Sequence, residues 1–124
     1  MKIKNKVFET LTANKTQSIM SKEFTATTSF QLARIFSKLE SESKIYFSEK
    51  QKLANKYAIK DNDGKPVIKD GNYTISNVDE FSKELNELLE IEIELGIEKI
   101  KMNLENEPNF TVEEMIVLMP FIEE

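Results

Sequence analysis

Residues 29–57 read SFQLARIFSKLESESKIYFSEKQKLANKY, and this stretch decides the fold. Leu32, Phe36, Leu39, Ser43, Tyr46, Lys50, Leu53 and Tyr57 follow one another at alternating steps of four and three. That spacing puts them on one face of a helix. Ser29 or a neighbouring Thr is placed to cap its start. Arg34, Lys38, Lys52 and Lys56 fall opposite the stripe, while Phe30 and Ile45 are apolar off it. Twenty-nine residues at about 1.5 Å each make a rod of roughly 43 Å. A rod that long outruns the core a small chain can build, so part of it is expected to pack on another chain. Ser43 and Lys50 interrupt the stripe, which argues against a free-standing coiled coil.

Downstream, Asp61-Asn62-Asp63-Gly64 breaks the helix, and Asp70-Gly71-Asn72 supplies a second turn before Tyr73-Thr74-Ile75. Residues 59–76 therefore read as a hairpin-like insert. Asn77 with Glu80 three positions on resembles a capping box for a second helix, whose buried stripe would be Val78, Phe81, Leu85 and Leu88. From Ile91 the period changes to two: Ile91-Glu92-Ile93-Glu94-Leu95 is a strand pattern, and Ile100, Met102 and Leu104 alternate again. Ile93, Ile97, Ile100 and Leu104 also fit helical spacing; the strand reading is the one adopted for 91–104, so that 77–105 holds a helix and short strands. Thr111 with Glu114 is a capping box for a terminal helix over 111–119, apolar nearly all round and stopped by Pro120.

Upstream, residues 1–28 read as an irregular segment. Ile3, Val7, Phe8 and Leu11 suit a short helix or an irregular start, and Thr12 to Lys22 reads as a loop with one short turn. The 124 residues fit one domain of α+β class: helix-dominated, with one long amphipathic helix, a small hairpin and one or two short strands.

Composition narrows the function more than any motif does. The chain has no His and no Cys. That removes the commonest general base and metal ligand, the Ser-His-Asp and Cys-His nucleophile arrangements, and disulfides. Its three glycines, Gly64, Gly71 and Gly96, build no phosphate-binding loop. Asp61, Asp63 and Asp70 surround Gly64, but with Gly64 at the sixth position of a calcium loop the first position would be Ile59, which has no ligand oxygen. The sequence therefore predicts no catalytic residue, no cofactor and no metal site. No apolar run approaches the roughly 20 residues that span a bilayer, and the start lacks an apolar signal segment, so a cytoplasmic protein with no membrane partner is expected.

Charge is split along the chain. Residues 1–60 carry 12 Lys and Arg against 5 Asp and Glu; residues 61–124 carry 5 against 17. Either the halves neutralise each other or an acidic face is displayed to a basic partner. Glu80, Glu84, Glu87, Glu90, Glu92 and Glu94 form the candidate acidic partner surface, with Lys52, Lys56 and Lys60 as the candidates to answer it from the same chain. A single Arg supplies base reading poorly, and the chain is acidic overall, so nucleic acid is not an expected partner. Phe30, Leu32, Phe36, Leu39, Ile45 and Tyr46 form the candidate interface of a homo-oligomer.

Three stretches together resemble a family of small tailed-phage proteins of unknown function: Met1-Lys2-Ile3-Lys4-Asn5-Lys6; the long helix ending in Lys56-Tyr57 before Asp61-Asn62-Asp63-Gly64; and Phe81-Ser82-Lys83-Glu84-Leu85-Asn86-Glu87-Leu88-Leu89-Glu90-Ile91-Glu92-Ile93. The likeness covers residues 1–6 and 44–95. It implies context alone: a phage protein made in the cytoplasm of a bacterial host, with the virion as an alternative place. The function expected from all of this is non-enzymatic binding to an unidentified protein and to itself, as an oligomeric structural or assembly factor. The alternative is an acidic inhibitor of a host or anti-phage defence protein that mimics nucleic acid.

Overall fold

A computed structural model describes residues 1–11 and 13–123, and it is helix-dominated α+β. A long helix, α3 (Ala26–Tyr57), is its axis. Its length of 32 residues corresponds to roughly 48 Å. Its buried residues are Thr28, Leu32, Ile35, Leu39 and Tyr46: three belong to the stripe the spacing predicts, Thr28 and Ile35 are additions to it, and its other members, Phe36, Ser43, Lys50, Leu53 and Tyr57, are half-buried. The helix begins at Ala26, three residues before the predicted start, for a reason that lies far away in sequence. The N-cap residue is Thr25, and its side chain caps no backbone N–H. Glu107 does that work: its carboxylate accepts from the Thr25 N–H at 3.1 Å, the Thr25 hydroxyl at 2.7 Å and the Thr28 hydroxyl at 2.8 Å. A carboxylate at this end also meets the positive pole of the helix dipole.

The first 28 residues are structured, which corrects the expectation of an irregular segment. Strand β1 (Lys2–Lys4) is followed by two helices, α1 (Val7–Thr10) and α2 (Ala13–Met20). The expected loop over 12–22 is thus helical from Ala13 on, while Thr12 itself lies outside the described residues. Polar residues fill α2, yet Ile19 is fully buried and fixes the helix to the core. Beyond α3, strands β2 (Ile68–Lys69) and β3 (Asn72–Tyr73) form the predicted hairpin. Asp70 and Gly71 turn it with φ of 52° and 79°, the positive pair a two-residue primed turn needs. Helix α4 (Val78–Leu89) starts at Asn77, whose side chain accepts from the Glu80 N–H. Phe81, Leu85 and Leu88 are half-buried along α3, but Val78 is 61% exposed, so the predicted stripe loses its first member to solvent.

Strand β4 (Glu92–Glu94) confirms the period-two reading of 91–95, and its partner is β1. The antiparallel register sets Lys2 opposite Glu94, Ile3 opposite Ile93 and Lys4 opposite Glu92, so two opposite-charge pairs flank one apolar pair. Gly96, at φ 69°, turns the chain away at the strand end. The second strand expected around Ile100–Leu104 does not form: Ile100 makes an isolated bridge to Ile122, and Leu104–Asn106 is a 3₁₀ turn. Helix α5 (Val112–Leu118) carries the complete capping box predicted from Thr111 and Glu114, and a 3₁₀ turn at Met119–Phe121 closes it around Pro120.

The core gathers Ile3, Phe8, Ile19, Leu32, Ile35, Leu39, Tyr46, Leu95, Ile100, Val117, Leu118 and Phe121. It draws on both ends of the chain and on the first two-thirds of α3. Among the described residues, no helix is long and apolar enough to cross a membrane.

Candidate functional site

The six residues read from sequence as an oligomer interface divide between inside and outside. Leu32, Leu39 and Tyr46 are 1–3% exposed, packed among their own chain's core. A second copy cannot touch them while the domain stays folded. Phe36 is half-buried, whereas Phe30 and Ile45 stand 64% and 60% exposed. The surface open to a partner is therefore the outer face of α3, and Phe47, 45% exposed, belongs to it. Sequence reading missed Phe47 because it adjoins the buried Tyr46; its ring packs edge-on against Tyr46 with centroids 4.9 Å apart.

Between α2 and α3 this outer face deepens into an apolar groove of about 760 Å³. Thr16, Gln17 and Met20 form one wall; Phe36, Ser43 and Phe47 line the other. On the opposite flank, Phe30, Arg34 and Lys38 line a shallower depression that reaches to Ile97. The ridge between the two consists of small residues, Ala33 and Ser37, which line both. Helical geometry makes this placement unavoidable: positions 30, 33 and 37 lie about half a turn from the buried 32, 35 and 39.

Next to the groove, Glu9 of α1 accepts hydrogen bonds from the Tyr46 hydroxyl and, at 2.6 Å, from Lys50 Nζ. Burial pushes the Glu9 carboxyl up, but these two donors outweigh it and hold it below its ordinary range. The Tyr46 hydroxyl is pushed far up, by burial first and then by its bond to Glu9. A phenol so reluctant to ionise is a structural donor that ties α1 to α3, and it offers no base for chemistry. Glu114 does the equivalent work at the other side of the core. It is buried and accepts from the Thr111 N–H at 2.8 Å and the Ser18 hydroxyl at 2.7 Å, with Lys22 Nζ at 3.3 Å. The Thr111 N–H and the Ser18 and Lys22 donors hold its carboxyl down to about 2.

The acidic surface is broken up by partners within the chain. Glu84 receives Lys56 at 3.1 Å, Glu90 receives Lys4 at 2.6 Å and Lys6 at 3.7 Å, and Glu94 receives the terminal ammonium at 2.9 Å. Of the three lysines expected to answer it, Lys56 alone does so; Lys52 pairs with Glu49 at 2.9 Å and Lys60 donates to the Asn55 carbonyl at 2.7 Å. Lys4, Lys6 and the N-terminus take their place because β1 lies beside β4. Glu80, Glu87 and Glu92 remain exposed. The Asp61 carboxylate accepts from the backbone N–H groups of Asp63 and Lys65, both at 2.9 Å, so it shapes its own turn. Among the described residues, no group of three or more acidic side chains converges as a cation would require.

No family model, curated protein or solved structure matches the chain.

Proposed function

We propose that this protein acts by binding and not by catalysis, and that it associates with itself through the outer face of α3. One observation carries the reading: the inner stripe of α3 is fully used by its own chain, yet Phe30, Ile45 and Phe47 stay uncovered along the outside. Three large apolar side chains on one exposed helix, beside an apolar groove, are what a protein-binding surface offers. The absence of His and Cys agrees with a role that needs no proton shuttle or thiolate. In the context the tailed-phage resemblance implies, such a protein is an oligomeric structural or assembly factor in the bacterial cytoplasm or the virion. The rival role, an acidic inhibitor of a basic host protein, has weaker support, because Glu84, Glu90 and Glu94 are already paired inside the chain.

Sedimentation equilibrium across about 1–100 μM, where weak assemblies of this size form, tests the reading. Self-association that Phe47→Ser weakens, with helix content unchanged, supports it. A single 14.4 kDa species throughout would refute it.

A further inference from the structure

We infer that Asp70 is a site of spontaneous backbone modification, isomerising to isoaspartate through a succinimide, and that the fold protects the other Asp-Gly step of the chain, Asp63–Gly64. Asp-Gly steps are prone to this reaction because glycine has no Cβ to crowd the attack of its nitrogen on the preceding carboxyl. Asp63–Gly64 and Asp70–Gly71 are the two such steps in the sequence, and all four residues are exposed. A Cβ at either glycine would meet nothing within 4 Å, so crowding by neighbours does not separate the two steps. The hydrogen bonding of the two turns does.

At the first step the Gly64 N–H donates to the Asp61 carbonyl at 3.0 Å, and the Asp61 N–H donates to the Lys65 carbonyl at 2.8 Å. With the Asp61 carboxylate accepting from Asp63 and Lys65, the attacking nitrogen is engaged and its neighbours are fixed. At the second step, among the described residues, neither the Gly71 N–H nor the Asp70 carboxylate makes a hydrogen bond. The Asp70 carbonyl accepts one long bond, 3.4 Å, from Asn72 Nδ2. Asp70 is also the one described non-glycine residue with a positive φ, 52°. A residue with a Cβ disfavours that conformation, and the extra methylene of isoaspartate lifts the restriction. The strands that Asp70–Gly71 joins are two residues long, and Ile68 stands 60% exposed. So short a hairpin opens at little cost, which lets the carboxyl and the nitrogen meet.

The reaction needs no co-reactant but water. The Gly71 nitrogen bonds to Asp70 Cγ; one carboxylate oxygen leaves as water with the amide proton and a proton from solvent. Water then opens the ring and returns a proton to solvent. Breaking the bond between the Asp70 carbonyl carbon and the nitrogen runs the chain through Cβ and Cγ and frees an α-carboxylate; breaking the bond at Cγ restores Asp70. The mass is unchanged, but the main chain is one atom longer, and the pairing of Ile68 with Tyr73 and Lys69 with Asn72 loses its two-residue turn.

The test incubates the full-length protein at neutral pH, folded and in urea. An isoaspartyl methyltransferase labels the new α-carboxylate, and peptide mapping locates the label. In the folded protein Asp70 should gain label about tenfold faster than Asp63, the factor that one net hydrogen bond in a turn is worth. In urea the two rates should converge. Equal labelling in the folded protein, or none at Asp70, would overturn the inference. The same preference persisting in urea would also overturn it, by placing the cause in the local sequence. Two variants give further readouts. Asp70→Glu should lose the label at 70, because its longer side chain closes a larger ring far more slowly; label remaining in that peptide would reject Asp70 as the source. Asp61→Ala removes the acceptor for the Asp63 and Lys65 N–H groups and should raise labelling at Asp63 while leaving Asp70 unchanged. No rise at Asp63 would reject protection by the first turn.

Discussion

The two ends of α3 do the same job under different cover. From Thr28 to Tyr46 the helix lies beneath α1, α2, β1 and α5, and four of its side chains are at most 3% exposed. From Lys50 to Tyr57 it meets α4 and the hairpin, where no residue of α4 is fully buried and Tyr57 against Phe81, with rings 6.1 Å apart, is the main aromatic contact. Both ends also hold an ionic tie. Glu114, on α5, sits buried among three donors, while Glu84 meets Lys56 and Tyr57 at the half-exposed surface. Hydrophobic burial and polar pairing therefore reinforce each other at one end and are both diluted at the other. The α4–hairpin end is the part expected to open first.

The comparison can be broken most directly by cutting one apolar side chain at each end. Leu32→Ala removes a fully buried side chain from the first region and is expected to cost about 2–5 kcal/mol in chemical denaturation. Leu85→Ala, half-buried on α4, is expected to cost roughly 1 kcal/mol. Equal losses would mean that the second region is as tightly packed as the first.

The ionic ties sharpen the contrast through pH. The Glu114 carboxyl titrates near 2 in the folded protein, below its ordinary 4.5. A depressed carboxyl stabilises the fold fully above the unfolded value, and that stabilisation is lost as pH falls from about 4.5 towards 2. Glu114→Gln should lower the melting temperature at neutral pH and flatten the acid limb of the stability profile. An acid limb identical to that of the unmodified protein would show that Glu114 carries no such tie. At the other end, Lys56→Glu should shift the melting temperature by no more than about 2–3 °C, and added salt should shrink the shift. A larger, salt-insensitive loss would contradict the exposed character of that pair.

Much of this could be read before any coordinates. The inward face of α3 followed from spacing, because one helix of constant period needs only its own residues. Asp70-Gly71 and the Thr111–Glu114 box were likewise legible, since turn and cap chemistry act within four positions. What escaped depends on distant partners. Strand β1 is three residues long and becomes a strand because Glu92, Ile93 and Glu94 lie opposite. Among the described side chains of helix α2, Ile19 alone is fully buried, and one apolar position shows no period. The strand expected at Ile100–Leu104 had the right alternation but no edge left to pair with beyond Ile122. For the candidate site, exposure of Phe30 and Ile45 off the stripe was legible, whereas the groove was not, since its second wall belongs to α2.

The carboxylate of Glu107 at the start of α3 has a consequence for the order of events during synthesis. The ribosome releases Thr25 long before Glu107, and Lys2–Lys4 long before Glu92–Glu94, so the longest helix and the first strand both emerge without the groups that complete them. Chains stalled before residue 107 therefore hold an unfinished helix end, and the nascent protein should remain protease-sensitive until its last fifth has left the exit tunnel.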